Sequence, residues 1–190
     1  MRVSFVGDMK KQIRLACVLG AAVLELAVFI NDARAEKIQI VAIGASNTAG
    51  FGVGSGQAWP ARLESILQAK GCDVSVTANG GVGDTSARIL GRVSSIPAGT
   101  KVVVYDIGAG NDRDAGASDT GGNKAQIEQA IRARGAKPVF AAYARIVGSE
   151  SANSSAWVAG DKHHHLTAQS HARVAAALAP QVIAAIGKCR

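Results

Sequence analysis

The chain of 190 residues is long enough for one domain with a substantial core and too short for two domains of ordinary size. Glycine is abundant, with 22 residues, and aromatic side chains make up only 4% of the sequence, a composition that suits a compact α/β domain. The formal net charge is +7, but no basic run is interleaved with aromatic residues, so the sequence does not favour nucleic acid as a partner.

The first 35 residues have the three-part order of a secretory signal peptide. Basic side chains precede an apolar run over residues 15–30, and Ala33-Arg34-Ala35 matches the small-x-small cleavage pattern. A membrane anchor is the alternative, but the apolar run is short for a span of about 20 residues. We therefore predict a signal peptide over residues 1–35, and export of residues 36–190 to the periplasm or out of the cell.

The remaining chain alternates between predicted strands and helices. Short apolar runs predict strands over residues 37–43, 73–78, 101–107 and 138–143. Helices are predicted over residues 59–70, 85–93, 123–134 and 168–177, with Ala179-Pro180 interrupting the last one before a second helical segment. This alternation predicts a small parallel sheet of about four to five strands flanked by helices, with ligands bound beyond the carboxyl ends of the strands.

Three loops at this edge of the sheet carry residue types suited to chemistry. Ser46 follows the first strand between small residues, where a tight turn can expose its hydroxyl. Gly83 lies in a glycine-rich loop after the second strand, where backbone N–H groups can face a reacting oxygen. Asn111 follows the third strand and can aim its side-chain amide into the same crevice. Each loop taken alone is also typical of an ordinary turn.

A fourth segment precedes the last helix and contains Asp161 and three adjacent histidines, residues 163–165. A serine hydroxyl is a poor nucleophile until a neighbouring base accepts its proton, and a carboxylate then orients the imidazole. A histidine with an aspartate one turn earlier supplies both groups. Adjacent side chains diverge, so the three histidines are poorly suited to hold a single metal ion.

In this order, the four segments resemble the four conserved blocks of the SGNH/GDSL hydrolases, most closely the secreted branch of thioesterase I and lysophospholipase L1. Gly44-Ala45-Ser46 stands where the family has Gly-Asp-Ser, which makes Ser46 the counterpart of the nucleophile. Gly83 and Asn111 stand at the glycine and the asparagine of the family's oxyanion hole.

The resemblance covers residues 37–187 and implies a three-layer α/β/α, flavodoxin-like fold. It implies a serine esterase that hydrolyses ester or thioester bonds of small acyl substrates, of the esterase, lysophospholipase or thioesterase type, with no metal or organic cofactor. The implied partner is a small-molecule ester or lipid, with transient contact to a membrane or cell wall. The implied site comprises a serine–histidine–aspartate triad and an oxyanion hole formed by Ser46, Gly83 and Asn111.

The identity of the base has two readings. Counting forward from Asp161 with the family spacing Asp-x-x-His selects His164, whereas counting back from the start of the last helix selects His165. We prefer His165, with His164 as the alternative base, because the helix start fixes the direction of the base and Thr167 is a suitable N-cap.

Two further departures from the family pattern are present. Ala45 replaces the aspartate of Gly-Asp-Ser, which the family does not use in its triad, and the interval from Asn111 to Asp161 is short. We expect residues 147–158 to form a loop and the site to be open. These departures leave an alternative function, a catalytically impaired domain of this fold that binds acylated or carbohydrate ligands in the cell envelope.

Two cysteines remain after the predicted cleavage, Cys72 and Cys189. An exported compartment permits a disulfide between them, and two free thiols are the alternative. Neither lies in a Cys-x-x-Cys motif, so a metal or redox site is not indicated.

Overall fold

The computed structural model describes residues 36–148 and 155–189 of the chain. The predicted signal peptide lies outside these residues, as does the middle of the predicted loop over residues 147–158. Within the two described ranges, no helix is both long enough and apolar enough to cross a membrane. The fold described below belongs to the unit Lys37–Arg190.

Four parallel strands form the sheet of the described residues, in the spatial order β2-β1-β3-β4. Their bounds are β1 Ile38–Gly44, β2 Val74–Gly80, β3 Val102–Tyr105 and β4 Lys137–Phe140. The chain moves outward from β1 to β2 and then returns to place β3 on the other side of β1. The connections that follow the two central strands therefore run to opposite sides of the sheet, which opens a crevice above the carboxyl ends of β1 and β3.

Two separate cores cover the two faces of this sheet, because successive side chains of a strand point to opposite faces. On β1, Ile40 and Ala42 belong to one core, whereas Val41 and Ile43 belong to the other. The helices thus form a layer on each face, and the predicted three-layer arrangement around a parallel sheet is confirmed.

Seven α-helices are present in the described residues. They are α1 Ser46–Ala49, α2 Trp59–Ala69, α3 Ser86–Arg92, α4 Ala109–Asp114, α5 Thr120–Ala133, α6 Tyr143–Val147 and α7 Ala168–Ile186. Single 3-10 turns are formed by Ser55–Gln57 and Val93–Ser95. Helices α2 and α7 pack on one face of the sheet, and α3 and α5 contribute to the core of the other face.

Three short helices, α1, α4 and α6, were not predicted by the sequence patterns. Each follows a strand directly or within a few residues, where the sequence suggested a turn or, for residues 141–143, the end of the fourth strand. The strand prediction is wrong there, because β4 ends at Phe140 and Tyr143 begins α6. This early end of the strand lets the Tyr143 hydroxyl reach a buried carboxylate above the sheet.

The predicted interruption at Ala179-Pro180 is also wrong, because α7 continues through Pro180. A proline inside a helix loses one backbone hydrogen bond and crowds the preceding turn. Here the proline ring lies on the exposed face of the helix, while Leu178, Ala179 and Val182 on the opposite face are buried in the core. Burial of this apolar face offsets the local cost.

A disulfide joins Cys72 to Cys189 across 117 positions of the chain. Cys72 lies between α2 and β2, and Cys189 follows the end of α7. Of the two alternatives left by the sequence, the structure has the disulfide, which ties the segment after α7 to the start of the second strand.

His171 on α7 is fully buried and accepts a hydrogen bond at Nδ1 from the backbone N–H of Trp59, 3.1 Å away. Burial, together with the positive charge of Arg62, lowers the pKa of His171 from 6.5 to about 4. The folded protein therefore holds a neutral imidazole in a pH range in which the unfolded chain binds a proton.

We predict that the free energy of unfolding decreases as the pH falls from 6.5 to about 4, with His171 contributing about 3 kcal/mol of this loss. The sign follows because the depressed pKa makes the unfolded state bind more protons over this range. Urea unfolding at several pH values checks it, with His171→Asn as the variant that keeps a hydrogen-bond acceptor and cannot titrate. An equal pH slope in both proteins would contradict the prediction.

Candidate active site

The candidate site lies above the central crevice of the sheet. Ser46 is the first residue of α1, two positions beyond the end of β1, and Asp106 directly follows β3. Because β1 and β3 are neighbouring parallel strands, their carboxyl ends bring these two polar residues to the same edge.

Ser46, His165 and Asp161 form a continuous chain of hydrogen bonds. Nε2 of His165 is 3.0 Å from Oγ of Ser46, and Nδ1 of His165 is 2.5 Å from Oδ2 of Asp161. The serine and the histidine are both buried. This order places an imidazole where it can accept the serine proton, and a carboxylate where it can stabilise the resulting positive charge.

Asp161 is held by the turn in which it lies. Its carboxylate accepts hydrogen bonds from the backbone N–H groups of His163 and His165, at 2.9 and 3.1 Å. Partial burial alone would raise the pKa of Asp161, but these N–H groups and the His165 imidazole lower it below its ordinary value of 3.8. The carboxylate is therefore ionised throughout the neutral range.

The backbone of His164 explains the irregular spacing between Asp161 and its histidine. His164 has a φ of 57°, in the left-handed region that few residues other than glycine adopt. This turn directs the His164 ring toward Trp157, with ring centroids 5.5 Å apart, and returns the chain so that His165 faces Ser46. The structure thus brings His165 to the serine, and not the alternative His164.

The start of α7 and α1 fix the position of His165 from two sides. Thr167 caps α7, and its Oγ1 accepts a hydrogen bond from the N–H of Ser170 at 3.2 Å. Asn47 on α1 accepts a hydrogen bond from the N–H of Leu166 at 2.9 Å and donates one to the carbonyl of His164 at 3.3 Å. Asn47 therefore clamps the histidine segment to the helix that carries the serine.

Phe51 also contacts the site, and the sequence analysis missed it. Its ring centroid lies 4.5 Å from that of His165, and 48% of the residue is exposed. The two rings are tilted by 35°, so the phenyl ring packs against the imidazole. A lone phenylalanine in the glycine-rich stretch after α1 gives no sequence signal for this contact.

The two other predicted oxyanion residues occupy different surroundings. Asn111 lines the same cavity as Ser46, and its Nδ2 donates to the carbonyl of Asp84 at 2.8 Å. Gly83 has a φ of 77°, in a turn that suits glycine, and is exposed outside that cavity. Among the described residues, the N–H of Gly83 has no hydrogen-bond acceptor. Asn111 thus supports the loop that presents Gly83, one residue before Asp84.

A salt bridge anchors the Gly83 loop to the sheet. Arg92 on α3 pairs with Asp84 at 2.6 Å, and donates hydrogen bonds to the backbone carbonyls of Gly44 at 2.7 Å and Asn79 at 2.8 Å. One guanidinium therefore links the ends of β1 and β2 to the loop between β2 and α3.

The buried carboxylate of Asp106 is a second feature that the sequence analysis did not identify as functional. Its Oδ2 accepts hydrogen bonds from the N–H of Ala45 at 3.0 Å, from Thr48 Oγ1 at 2.5 Å and from the Tyr143 hydroxyl at 2.9 Å. Its Oδ1 accepts from the N–H of Gly108 at 2.8 Å. The segments after β1, β3 and β4 are thereby tied to a single charged group, only 5% exposed.

Tyr143 and Gly44 are adapted to this carboxylate. Burial raises the pKa of Tyr143 well above its ordinary value, and the charge of Asp106 adds to the effect, so the phenol stays protonated and donates. A Cβ atom at Gly44 would lie 2.0 Å from Oδ2 of Asp106. Glycine is therefore required at this position, two residues before Ser46.

A cavity of about 640 Å³ opens beside Ser46. Its wall is formed largely by the segments after β3 and β4, together with Trp157 and the residues His163 and His164. Within the described ranges, no group of three or more histidine, cysteine, aspartate or glutamate residues is arranged to hold a metal ion. The three adjacent histidines diverge, because His163 pairs with Asp114 while the other two face Trp157 and Ser46.

No family model and no curated protein matches the chain. Several solved structures match the chain. TesA is 22% identical with a TM-score of 0.64, and the match covers 77% of this chain and 99% of that one. AlinE4, a SGNH-hydrolase family esterase, is 22% identical with a TM-score of 0.51, over 81% and 99%. A mutant of the same esterase AlinE4 is 28% identical with a TM-score of 0.52, over 57% of this chain and 60% of that one.

We predict that Asp106→Asn lowers the free energy of unfolding by about 2 kcal/mol or more, because the amide replaces one of the two acceptor oxygens with an N–H donor that faces other donors. Urea unfolding measures the loss. Thr48→Val, which removes one of the donors with little change of shape, is expected to cost about 1 kcal/mol. An Asp106→Asn variant as stable as the wild type would contradict the role of the carboxylate.

Proposed function

The chain has the fold of the SGNH/GDSL hydrolases, and from this premise we propose that it is a serine esterase that cleaves ester or thioester bonds of small acyl substrates. One observation carries the proposal, the hydrogen-bonded chain from Ser46 through His165 to Asp161. A fold of this type hosts many functions, so these three side chains, and not the sheet, support the esterase activity.

In the proposed mechanism, Oγ of Ser46 attacks the carbonyl carbon of the ester while Nε2 of His165 takes its proton. Asp161 stabilises the imidazolium through Nδ1. The tetrahedral intermediate then expels the alcohol or thiol, which receives the proton from His165. Water attacks the acyl-enzyme with His165 acting again as base, and the acid is released. No step requires a metal or an organic cofactor.

The developing oxyanion requires donors, and we propose the N–H groups of Ser46 and Gly83 with the side-chain amide of Asn111. The N–H of Ser46 belongs to the first turn of a helix, whose N–H groups have no partner within the helix. The amide of Asn111 has two N–H groups and uses one for the carbonyl of Asp84, which leaves the other available.

We also propose that the enzyme works outside the cytoplasm, in the periplasm or the medium. The pattern of residues 1–35 supports export. The disulfide between Cys72 and Cys189 suits an oxidising compartment.

We predict that the purified protein hydrolyses p-nitrophenyl acetate and butyrate, and that Ser46→Ala lowers kcat/KM by about 10⁴-fold or more, because the nucleophile is lost. A fluorophosphonate probe should modify Ser46, and mass spectrometry of the digested protein locates the adduct. Equal rates for the wild type and Ser46→Ala, with no adduct, would favour the alternative, a binding domain that has lost catalysis.

A second prediction concerns the base. His165→Ala should reduce turnover to a level close to that of Ser46→Ala, because either variant disables the same unit. His164→Ala should retain clearly measurable turnover, since the His164 ring contacts Trp157 and not the serine. Both variants are compared by the same ester assay after circular dichroism has verified folding. Loss of turnover in His164→Ala alone would show that the base is assigned wrongly.

A further inference from the structure

The cavity beside Ser46 has two arginines in its wall that form no ion pair with any of the described residues. Arg113 lies on α4 and Arg145 on α6, so they approach the cavity from the segments after β3 and β4. Both are exposed, and neither lies within salt-bridge distance of a carboxylate in the described part of the chain. A guanidinium is suited to bind carboxylate or phosphate oxygens through paired N–H groups.

The acidic groups around the cavity are already engaged. Asp106 lies in its wall, but four donors surround its two oxygens. Asp114 and His163 are both exposed, and Oδ2 of Asp114 lies 3.2 Å from Nδ1 of His163. Asp114 itself is not part of the cavity wall, so Arg113 and Arg145 are the exposed acidic or strongly basic residues that line the cavity within the described ranges.

Buried polar atoms in the same wall also lack a partner within residues 36–148 and 155–189. Trp157 is 6% exposed and lines the cavity, and its Nε1–H donates to no acceptor in those ranges. Nε2 of His164, beside Trp157, is likewise buried without a partner there. A buried donor without an acceptor is costly, and most such groups in proteins are satisfied. An oxygen atom of a bound ligand would satisfy the indole N–H.

We propose that this cavity binds an anionic group of the substrate, a carboxylate or a phosphate, with Arg113 and Arg145 balancing its charge and Trp157 donating a hydrogen bond to it. This inference rests on the proposed esterase function, because the bound group is part of a substrate only if the protein cleaves esters. It narrows that function to esters that carry a negative charge on the part that occupies the cavity.

A kinetic test uses matched esters that differ by one charge. p-Nitrophenyl hydrogen glutarate is compared with p-nitrophenyl valerate, which places the charge on the acyl side, and 4-acetoxybenzoate with its methyl ester, which places it on the alcohol side. For at least one pair, the ratio of kcat/KM for the anionic ester to that for the neutral ester should fall when an arginine is removed. Comparing ratios between variants cancels the intrinsic reactivity of each ester.

We expect Arg113→Gln and Arg145→Gln each to lower this ratio about threefold to fivefold, and the double variant to lower it by about tenfold or more. Arg173→Gln is the matched control, because Arg173 is an exposed arginine on α7 outside the cavity wall. It removes the same net charge and should leave the ratio unchanged. An equal fall in Arg173→Gln, or no fall in the double variant for either pair, would overturn the proposal.

A binding test does not depend on turnover. In Ser46→Ala, glutarate and glycerol phosphate are titrated while tryptophan emission is followed, with the neutral dimethyl glutarate as a control. A saturable change in emission with glutarate alone shows that the site binds a carboxylate. A saturable change with glycerol phosphate shows that it binds a phosphate. Trp157→Phe should remove the change, because the other tryptophan, Trp59, is fully buried and does not line the cavity.

The two proposals fail in different ways. Ester hydrolysis with no charge preference and no saturable anion binding overturns the anion site and leaves the esterase function standing. Saturable binding that weakens in the double arginine variant, without any hydrolysis or serine labelling, supports the anion site and overturns the esterase function.

Discussion

The arrangement of the site depends on one buried carboxylate. Asp106 stands at the end of β3, and its two oxygens collect hydrogen bonds from the residues after β1, from its own loop and from α6. A buried charge is tolerated only when its oxygens are paired, and here the pairing itself defines where the three segments lie. The position of Ser46 is fixed because the N–H of Ala45, one residue earlier, is one of those donors.

This interaction also accounts for the departure at Ala45. The carboxylate of Asp106 contacts the backbone N–H of residue 45, so the contact does not require any particular side chain there. The side chain of Ala45 is buried in the core on the face of the sheet that α3 and α5 cover. The turn before Ser46 is therefore anchored by a residue of the neighbouring strand, and the aspartate absent from the Gly-Asp-Ser pattern is not needed to hold it.

Sequence reasoning succeeded where the information is local. Four short apolar runs correctly predicted the four strands, and Thr167 caps the last helix as predicted. It failed where partners are distant along the chain. Asp106 resembles an ordinary residue at a strand end until Tyr143, 37 positions later, begins a helix over it. The catalytic roles stay predictions.

The proposed chemistry and the proposed substrate preference are assigned to different parts of the fold. The serine and histidine are held by α1 and by the start of α7, which belong to the packed frame. The two arginines of the cavity wall stand on α4 and α6, six and five residues long, each joined to that frame near Asp106. Exposed residues on such short helices can change with little cost to the core. Under this proposal, substitutions at the two arginines change the charge of the preferred substrate and leave the hydrogen-bonded chain to Ser46 intact.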